Sequence, residues 1–373
     1  CSTKFNLMIY LYRPYLPEEA IQKISESLEK HQLIYGENCK NFESEFSKYL
    51  GIKHSLAVSS GTAALHLALL ALEIKQGDYV FLPDFTWPST VNVVEIIGAK
   101  PIFIDVSLEN HCMDLSKLEE TLERFKNHSG KKVVMPVHQH GHPMNLTQLN
   151  QLKKNYNLLL VEDAACAIGS SVNDKKAGTF SDISCFSFHP RKVLTTGEGG
   201  MVCTDNDIYA ENLRRYLNHG FKADMTDFKF PGLNYRMTET QAILGSFGLK
   251  ELDDRIDKRR KFKDEYFNLL SRMDDFSIPE NSPGHNWQTF LVFPNKKINR
   301  SEVLEMMNKK GINAIRGTYS LISLEFYKNK YGDQTDLDNS KYLDKQAIAL
   351  PFSEDYGPEE AKKVVTTLQE AIQ

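Results

Sequence analysis

The sequence predicts an α/β protein, with a three-layer α/β/α large domain around a mainly parallel sheet and a smaller C-terminal α+β domain. Three observations predict it. From residue 55 to about 205, short β-rich runs alternate with helical stretches, the pattern of a parallel sheet covered by helices on both faces. Two of those runs, Leu158 to Val161 and Ile183 to Phe188, lead into polar residues, as central parallel strands do at a ligand crevice. Beyond a long charged helical stretch, Thr238 to about Met273, β-type and helical runs mix instead of alternating. We place the domain division on that stretch, with a large domain over 1–250, including an N-terminal helical segment, and a small one over 251–373.

The chain of 373 residues has ample length for two cores. It is 41% hydrophobic and 25% charged with a net charge of −4, a balance that points to neither a nucleic-acid nor a membrane-surface protein. The apolar runs all fall short of the ~20 residues a membrane span needs. Six cysteines, at 1, 39, 112, 166, 185 and 203, show no CxxC pairing, so we expect reduced thiols and a cytoplasmic protein. Cys1 in place of a methionine is read as a processed, trimmed or tagged start, and a lipid-modified end is disfavoured because nothing else looks exported.

In chain order, Pro14 to Glu19 opens a helix whose apolar residues Ile21, Ile24 and Leu28 keep helical spacing. Tyr35-Gly36 breaks it, and Phe42, Phe46, Tyr49 and Leu50 form a second amphipathic stripe. The expected strands are Leu56 to Ser59, Tyr79 to Leu82, Pro101 to Val106, Val133 to Val137, Leu158 to Val161, Ile183 to Phe188 and Met201 to Cys203. In the long helical stretch Ile243, Phe247, Leu252 and Ile256 share one side, and Lys258-Arg259-Arg260-Lys261 is read as a solvated face. The C-terminal part offers a β-type run at Gln288 to Phe293 and helices at Arg300 to Lys310 and Pro358 to Ile372.

Chemistry-bearing residues gather where the strands should end: Ser59 to Thr62, Asp84 to Trp87, His138, Asp163 and Lys192. Lys192 follows a buried-type strand, is flanked by Phe186, Phe188, Val193 and Leu194, and precedes a Gly-Glu-Gly-Gly turn. A lysine so placed is expected to be partly desolvated, which leaves its amine available as a nucleophile. Leu158 to Ala165, LLLVEDAA, ends in an acid pair, of which Glu162 and Asp163 should point to opposite faces. A buried carboxylate and a buried lysine in one α/β domain are what pyridoxal phosphate needs, the acid for the pyridinium nitrogen and the lysine for the Schiff base. Ser59-Ser60-Gly61-Thr62 opens a helix, and a helix N-terminus with small residues suits a phosphate. His138, His140 and His142 alternate as zinc ligands can, but lack nearby cysteine or carboxylate ligands, so we expect no metal.

Five motifs in order, SSGTAALHLAL (59–69), DFTWPSTVN (84–92), VEDAACAIGS (161–170), FSFHPRKVLTTGEGG (186–200) and GLNYRMTETQA (232–242), carry a resemblance over nearly the whole chain. The sequence resembles the sugar aminotransferases of the DegT/DnrJ/EryC1/StrS family, pyridoxal-phosphate enzymes of the fold-type-I transferase class. The resemblance implies that Lys192 is the cofactor lysine and proton shuttle, and that Asp163 pairs with the pyridinium nitrogen. It implies phosphate contacts from Gly61, Thr62 and Ser187, Trp87 flat on the ring, and Asn234 reaching the other subunit's phosphate in a homodimer with shared sites. Cys166 stands where the family commonly has His or Gln against the cofactor. The family's His-Tyr-x-Pro-x-His substrate loop is replaced by a different one, in which Arg316 and Tyr319 occupy the expected substrate positions. The implied reaction moves an amino group, usually from glutamate, to a nucleotide-linked keto-sugar. A related branch has histidine at the lysine position and removes a hydroxyl instead; Lys192 argues for transamination over such a dehydratase or lyase. A non-catalytic paralogue is disfavoured by the intact Lys192, Asp163, Ser187 and Asn234.

Overall fold

The computed structural model describes residues 8–222, 224–294, 298–332 and 334–372; Cys1 lies outside them. Seven strands form the main sheet: β1 (His54–Val58), β2 (Tyr79–Pro83), β3 (Lys100–Ile104), β4 (Lys132–Val134), β5 (Leu159–Asp163), β6 (Ile183–Ser187) and β7 (Gly200–Thr204). Their spatial order is β1-β7-β6-β5-β4-β2-β3. Antiparallel pairing on both sides of β7 sets it against the other strands, whose mutual pairings are parallel. The order reverses between β2 and β4, and an open parallel sheet is expected to carry its crevice beyond the strands' carboxyl ends at such a point.

Strand alternation builds the three layers. Leu56 and Val58, Val161, Ile183 and Cys185, and Val202 face the helix Gly61–Ala71 in one core. On the opposite face Ala57, Phe186, Met201 and Cys203 pack with Phe42 and Phe46 of the helix Glu37–Leu50. Phe81, Ile104, Val134 and Leu160 pack there with the helices Leu115–Phe125 and Leu146–Tyr156. Phe186 and Phe188 are therefore core residues behind the sheet, and Lys192 is only half-buried. The apolar neighbours in sequence do not wall the lysine; they anchor the strand that leads to it.

The long helical stretch divides in two. Helix Glu239–Lys250 starts on a Thr238–Gln241 capping box, and helix Leu252–Leu270 follows after Glu251. The second buries Arg259, from the middle of the basic run, completely, while Lys258 and Lys261 stay in solvent. Its inner side meets a second core with Phe290, Val292, Ile348, Leu350 and Phe352. That core carries an antiparallel sheet, in spatial order β8 (Phe276–Ser277), β9 (Phe290–Pro294), β11 (Ile348–Leu350) and β10 (Ile315–Arg316).

Two segments cross between the cores. Ile9 packs in the C-terminal one and bridges Ile312. Tyr319–Ser320 pairs with Phe85–Thr86, and Leu321, Ile322, Tyr327 and Leu337 pack in the main-sheet core. We propose the division after residue 250 with these two segments as the ties between its halves.

Candidate active site

At the carboxyl ends of β1, β5 and β6 lies a cavity of about 250 Å³. Gly61, Thr62, Trp87, Asp163, Cys166, Ser187 and Lys192 all line it, so seven of the ten residues singled out in the sequence share one space. Arg316 and Tyr319 lie beside it: their neighbours Ile315, Gly317 and Thr318 contribute to the wall, while Arg316 stacks 3.9 Å from the Tyr319 ring centroid and pairs with Asp344. Asn234 is exposed and lies outside the lining of its own chain's cavity.

The helix Gly61–Ala71 aims its N-terminus at the cavity. Ser60 caps it, accepting from the Ala63 N–H at 3.0 Å, while the first-turn N–H groups have no partner within the helix. A Cβ at Gly61 would stand 2.8 Å from that of Ser187, so only glycine lets this turn close onto the β6 serine. The result is an anion-shaped cradle of backbone N–H groups and the Thr62 and Ser187 hydroxyls.

Asp163 shares the face of Val161 and is buried at 4% exposure. Its carboxylate accepts from the Ala165 N–H and the Thr90 hydroxyl, each at 3.1 Å, which leaves lone-pair capacity on a group with about four acceptor sites. Burial pushes its carboxyl up, and the Ala165 N–H, Lys192, Thr90 and His138 bring it only part of the way back. A buried carboxylate so weakly compensated is stabilised by any cationic N–H presented to it. Glu162 points the other way. It accepts from His138 Nε2 at 2.8 Å, from the N–H groups of Gly178 and Phe180, and from Ser181. Burial pushes Glu162 up, but His138 and those donors outweigh it and hold it below its usual value. His138 Nδ1 accepts from the Met144 N–H at 3.0 Å, which fixes the ring proton on Nε2. His138 is thus a support under β5, not a ligand in the cavity.

Lys192 Nζ reaches into the cavity, 2.9 Å from Cys166 Sγ. Trp87 is 53% exposed, 5.8 Å from Tyr319 between ring centroids, with the Arg191 guanidinium 5.7 Å from its ring. His140 lines the same space, and burial, with His111 and Lys192 adding to it, pushes it down to about 3. Among the described residues no three His, Cys, Asp or Glu side chains gather as a metal requires. Sequence reasoning missed Tyr12, Thr90, Gln288 and Phe352, and weighed His140 only as a metal ligand. Thr90 lies inside a quoted motif and could have been found; Tyr12, Gln288 and Phe352 arrive from distant segments with no local signal.

The sequence profile of the DegT/DnrJ/EryC1/StrS aminotransferase family matches residues 14–369. The chain belongs to this family. GDP-perosamine synthase of Escherichia coli O157:H7 is 32% identical over 325 residues, covering 87% of this chain and 88% of that protein. Helicobacter pylori PseC, an aminotransferase of pseudoaminic acid biosynthesis, superposes with a TM-score of 0.91 at 24% identity, over 98% of this chain and 99% of its own. The E. coli GDP-4-keto-6-deoxy-D-mannose-3-dehydratase with bound hydrated pyridoxal phosphate superposes at 0.90 with 22% identity, over 98% and 100%. As a DegT/DnrJ/EryC1/StrS member the chain is a pyridoxal-phosphate-dependent aminotransferase of fold type I. The donor set fits that cofactor on its own terms: an N–H cradle for a phosphate, an under-compensated buried carboxylate for a pyridinium, and a primary amine in the same cavity.

Proposed function

We propose that this aminotransferase moves an amino group from L-glutamate to a nucleotide-linked 4-keto-6-deoxy sugar. It would act as a cytoplasmic homodimer and supply amino sugars for surface polysaccharide or glycosylated natural products. The observation that carries the reading is the single cavity in which Lys192 Nζ, the buried Asp163 carboxylate and the N-terminus of helix Gly61–Ala71 converge. The sugar class is supported by the 32% identity to GDP-perosamine synthase.

When bound, pyridoxal phosphate supplies the aldehyde that accepts the amino group and a ring that withdraws electrons from the carbon losing its proton. Gly61, Thr62 and Ser187 would hold the phosphate, joined by Asn234 of the partner chain. Asp163, oriented by Thr90 and the Ala165 N–H, would keep the ring nitrogen protonated. Lys192 would hold the aldehyde carbon, and its Nζ, once free, is the base that would move the proton between the donor's α-carbon and that carbon, two bonds apart across the shared nitrogen. Trp87 would cover the ring, Cys166 would lie beside it, and Arg316 and Tyr319 would border the sugar.

The test is a panel of nucleotide-linked keto-sugars incubated with glutamate, with products identified by mass. The fold alone also suits the dehydratase reading, because the E. coli dehydratase shares it. A product that has lost a hydroxyl without gaining nitrogen would favour that reading; Lys192 speaks for the gain of nitrogen.

A further inference from the structure

Lys192 belongs to a turn, outside any strand or helix, so something other than a ladder must hold its backbone. One side chain does so from both sides. Gln288 Oε1 accepts from the Val193 N–H at 2.9 Å, and Gln288 Nε2 donates to the Arg191 carbonyl. A single buried amide thus brackets the lysine, bonding the residue before it and the residue after it.

Two positions earlier, Asn286 treats the opposite wall in the same way. Its Nδ2 donates to the carbonyls of Cys166 and Ile168, both at 2.9 Å, and Cys166 is the residue that faces Lys192 Nζ. Its Oδ1 accepts from the Gln288 N–H at 2.9 Å, tying the two amides together.

Between them Trp287 adopts a left-handed φ of 55°, a conformation that a bulky non-glycine residue holds only when its surroundings dictate it. They do. Trp287 is buried and stacks 4.4 Å from the His285 ring. Arg259, fully buried, donates to the Trp287 carbonyl at 2.8 and 3.0 Å and to the Gln288 carbonyl at 3.0 Å. Glu354 pairs with Arg259 at 2.7 Å. The strain and its supports therefore fix one short segment whose even-numbered side chains both point at the lysine's surroundings.

We infer that Gln288, seconded by Asn286, is a positioning residue for Lys192. It fixes the Arg191–Val193 backbone so that the lysine side chain enters the cavity in one direction while Nζ stays free to move. The inference rests on the reading of Lys192 as the cofactor lysine.

Two holoenzyme variants test it. Gln288→Met fills the same volume and makes neither bond; Gln288→Glu keeps the acceptor but sets a second acceptor against the Arg191 carbonyl. In Gln288→Met, hydrogen exchange at the Val193 amide should rise about tenfold, as loss of one buried hydrogen bond implies, with the main-sheet amides unchanged. Its kcat should fall about tenfold through misplacement of a reacting group, with KM for glutamate changed less than about twofold. In Gln288→Glu, kcat relative to the wild type at the same pH should climb as pH falls, because the protonated carboxyl regains both donor and acceptor. Unchanged exchange at Val193, or raised exchange with unaltered kcat, overturns the inference. If Gln288→Met loosens the whole sheet, the Gln288→Glu profile decides: a flat ratio refutes positioning and a climbing one supports it. Borohydride trapping separates this from the underlying reading. Cofactor fixed on another lysine refutes the role of Lys192; cofactor on Lys192 with normal kcat in both variants refutes Gln288 alone.

Discussion

A lysine that must both anchor a cofactor and carry a proton works best when its amine is directed but not tightly bound. Lys192 Nζ meets the Cys166 thiol, a weak hydrogen-bond partner, so the amine is released more readily than from a carboxylate. Lys192→Ala should bind cofactor through the remaining contacts yet lose turnover by on the order of 10²–10⁴-fold or more, the usual weight of a positioned acid–base group. Purified wild type should be yellow and bleach with glutamate; comparable amination of a keto-sugar by the alanine variant would move the role elsewhere. Asp163→Asn should keep cofactor affinity and slow kcat by roughly 10²–10³-fold, the scale of losing one preorganised electrostatic partner. A near-normal kcat in that variant would refute the pairing with the ring nitrogen. The direction of Asp163 was legible in the sequence because strand alternation and an apolar run fix where a strand-end residue points, whereas Lys192, in a turn five residues beyond its strand, was legible only through the motif that contains it. Gln288 was not legible, since its targets, Arg191 and Val193, come within reach only after folding.

At the scale of elements, the main-sheet strands were readable within a residue or two because buried strands are written as short apolar runs, except that the run expected to reach Val137 leaves the ladder at Val134. The break at Glu251 was not, for no glycine or proline marks it. Helix Glu239–Lys250 packs Gly245 against Phe42, where a Cβ would stand 2.5 Å from the ring, while helix Leu252–Leu270 serves the C-terminal core; one straight rod cannot satisfy both. The basic run likewise hid a buried residue, because periodicity does not tell which arginine will find a carboxylate. Glu354 answers both Arg255 and Arg259, and burial would push it up, but the two guanidinium groups outweigh burial and hold it low. Glu354→Ala should cost about 3–5 kcal/mol, because it strands buried cations; thermal or denaturant unfolding measures it, and a loss below about 1 kcal/mol, the scale of a surface pair, would refute the ion-pair account. Asp84 ties the returning segment to the large part, accepting from the Ser320 hydroxyl at 2.5 Å and the Ile322 N–H at 2.8 Å. Burial pushes its carboxyl up to about 7. A folded value above the unfolded one means the folded state binds the extra proton, so this group's contribution falls as pH rises from about 4 to about 7. The Tm of Asp84→Asn should therefore decline less over that window than the wild type's, and parallel curves would refute the shift.

For the molecule as a whole the open matter is whether one chain holds a complete site. Asn234 is exposed in the single chain and is not part of the lining of its own cavity, which is what a residue donated to a partner should look like before the partner is added. Exposed Met225 and Phe228 lie on the same loop, apolar surface that a second copy could cover. The exposure has a practical use, because Asn234→Phe can be introduced without overpacking the chain that carries it. Consider mixing that variant with Lys192→Ala. The first has its lysine but presents a blocked side chain to its neighbour; the second has a good Asn234 and no lysine. If the residue serves the partner, the Asn234→Phe chain in a mixed dimer receives an intact Asn234 and one site of two is whole. Complete random exchange makes half the dimers mixed, so about a quarter of wild-type activity should return from two inactive proteins. If Asn234 serves its own chain, both sites of the mixed dimer stay defective and nothing returns. Differently tagged subunits show that exchange has occurred, and each variant alone must be inactive. Proven exchange without recovery would refute the shared site while leaving Lys192 and Asp163 in their roles, since neither assignment depends on where Asn234 points.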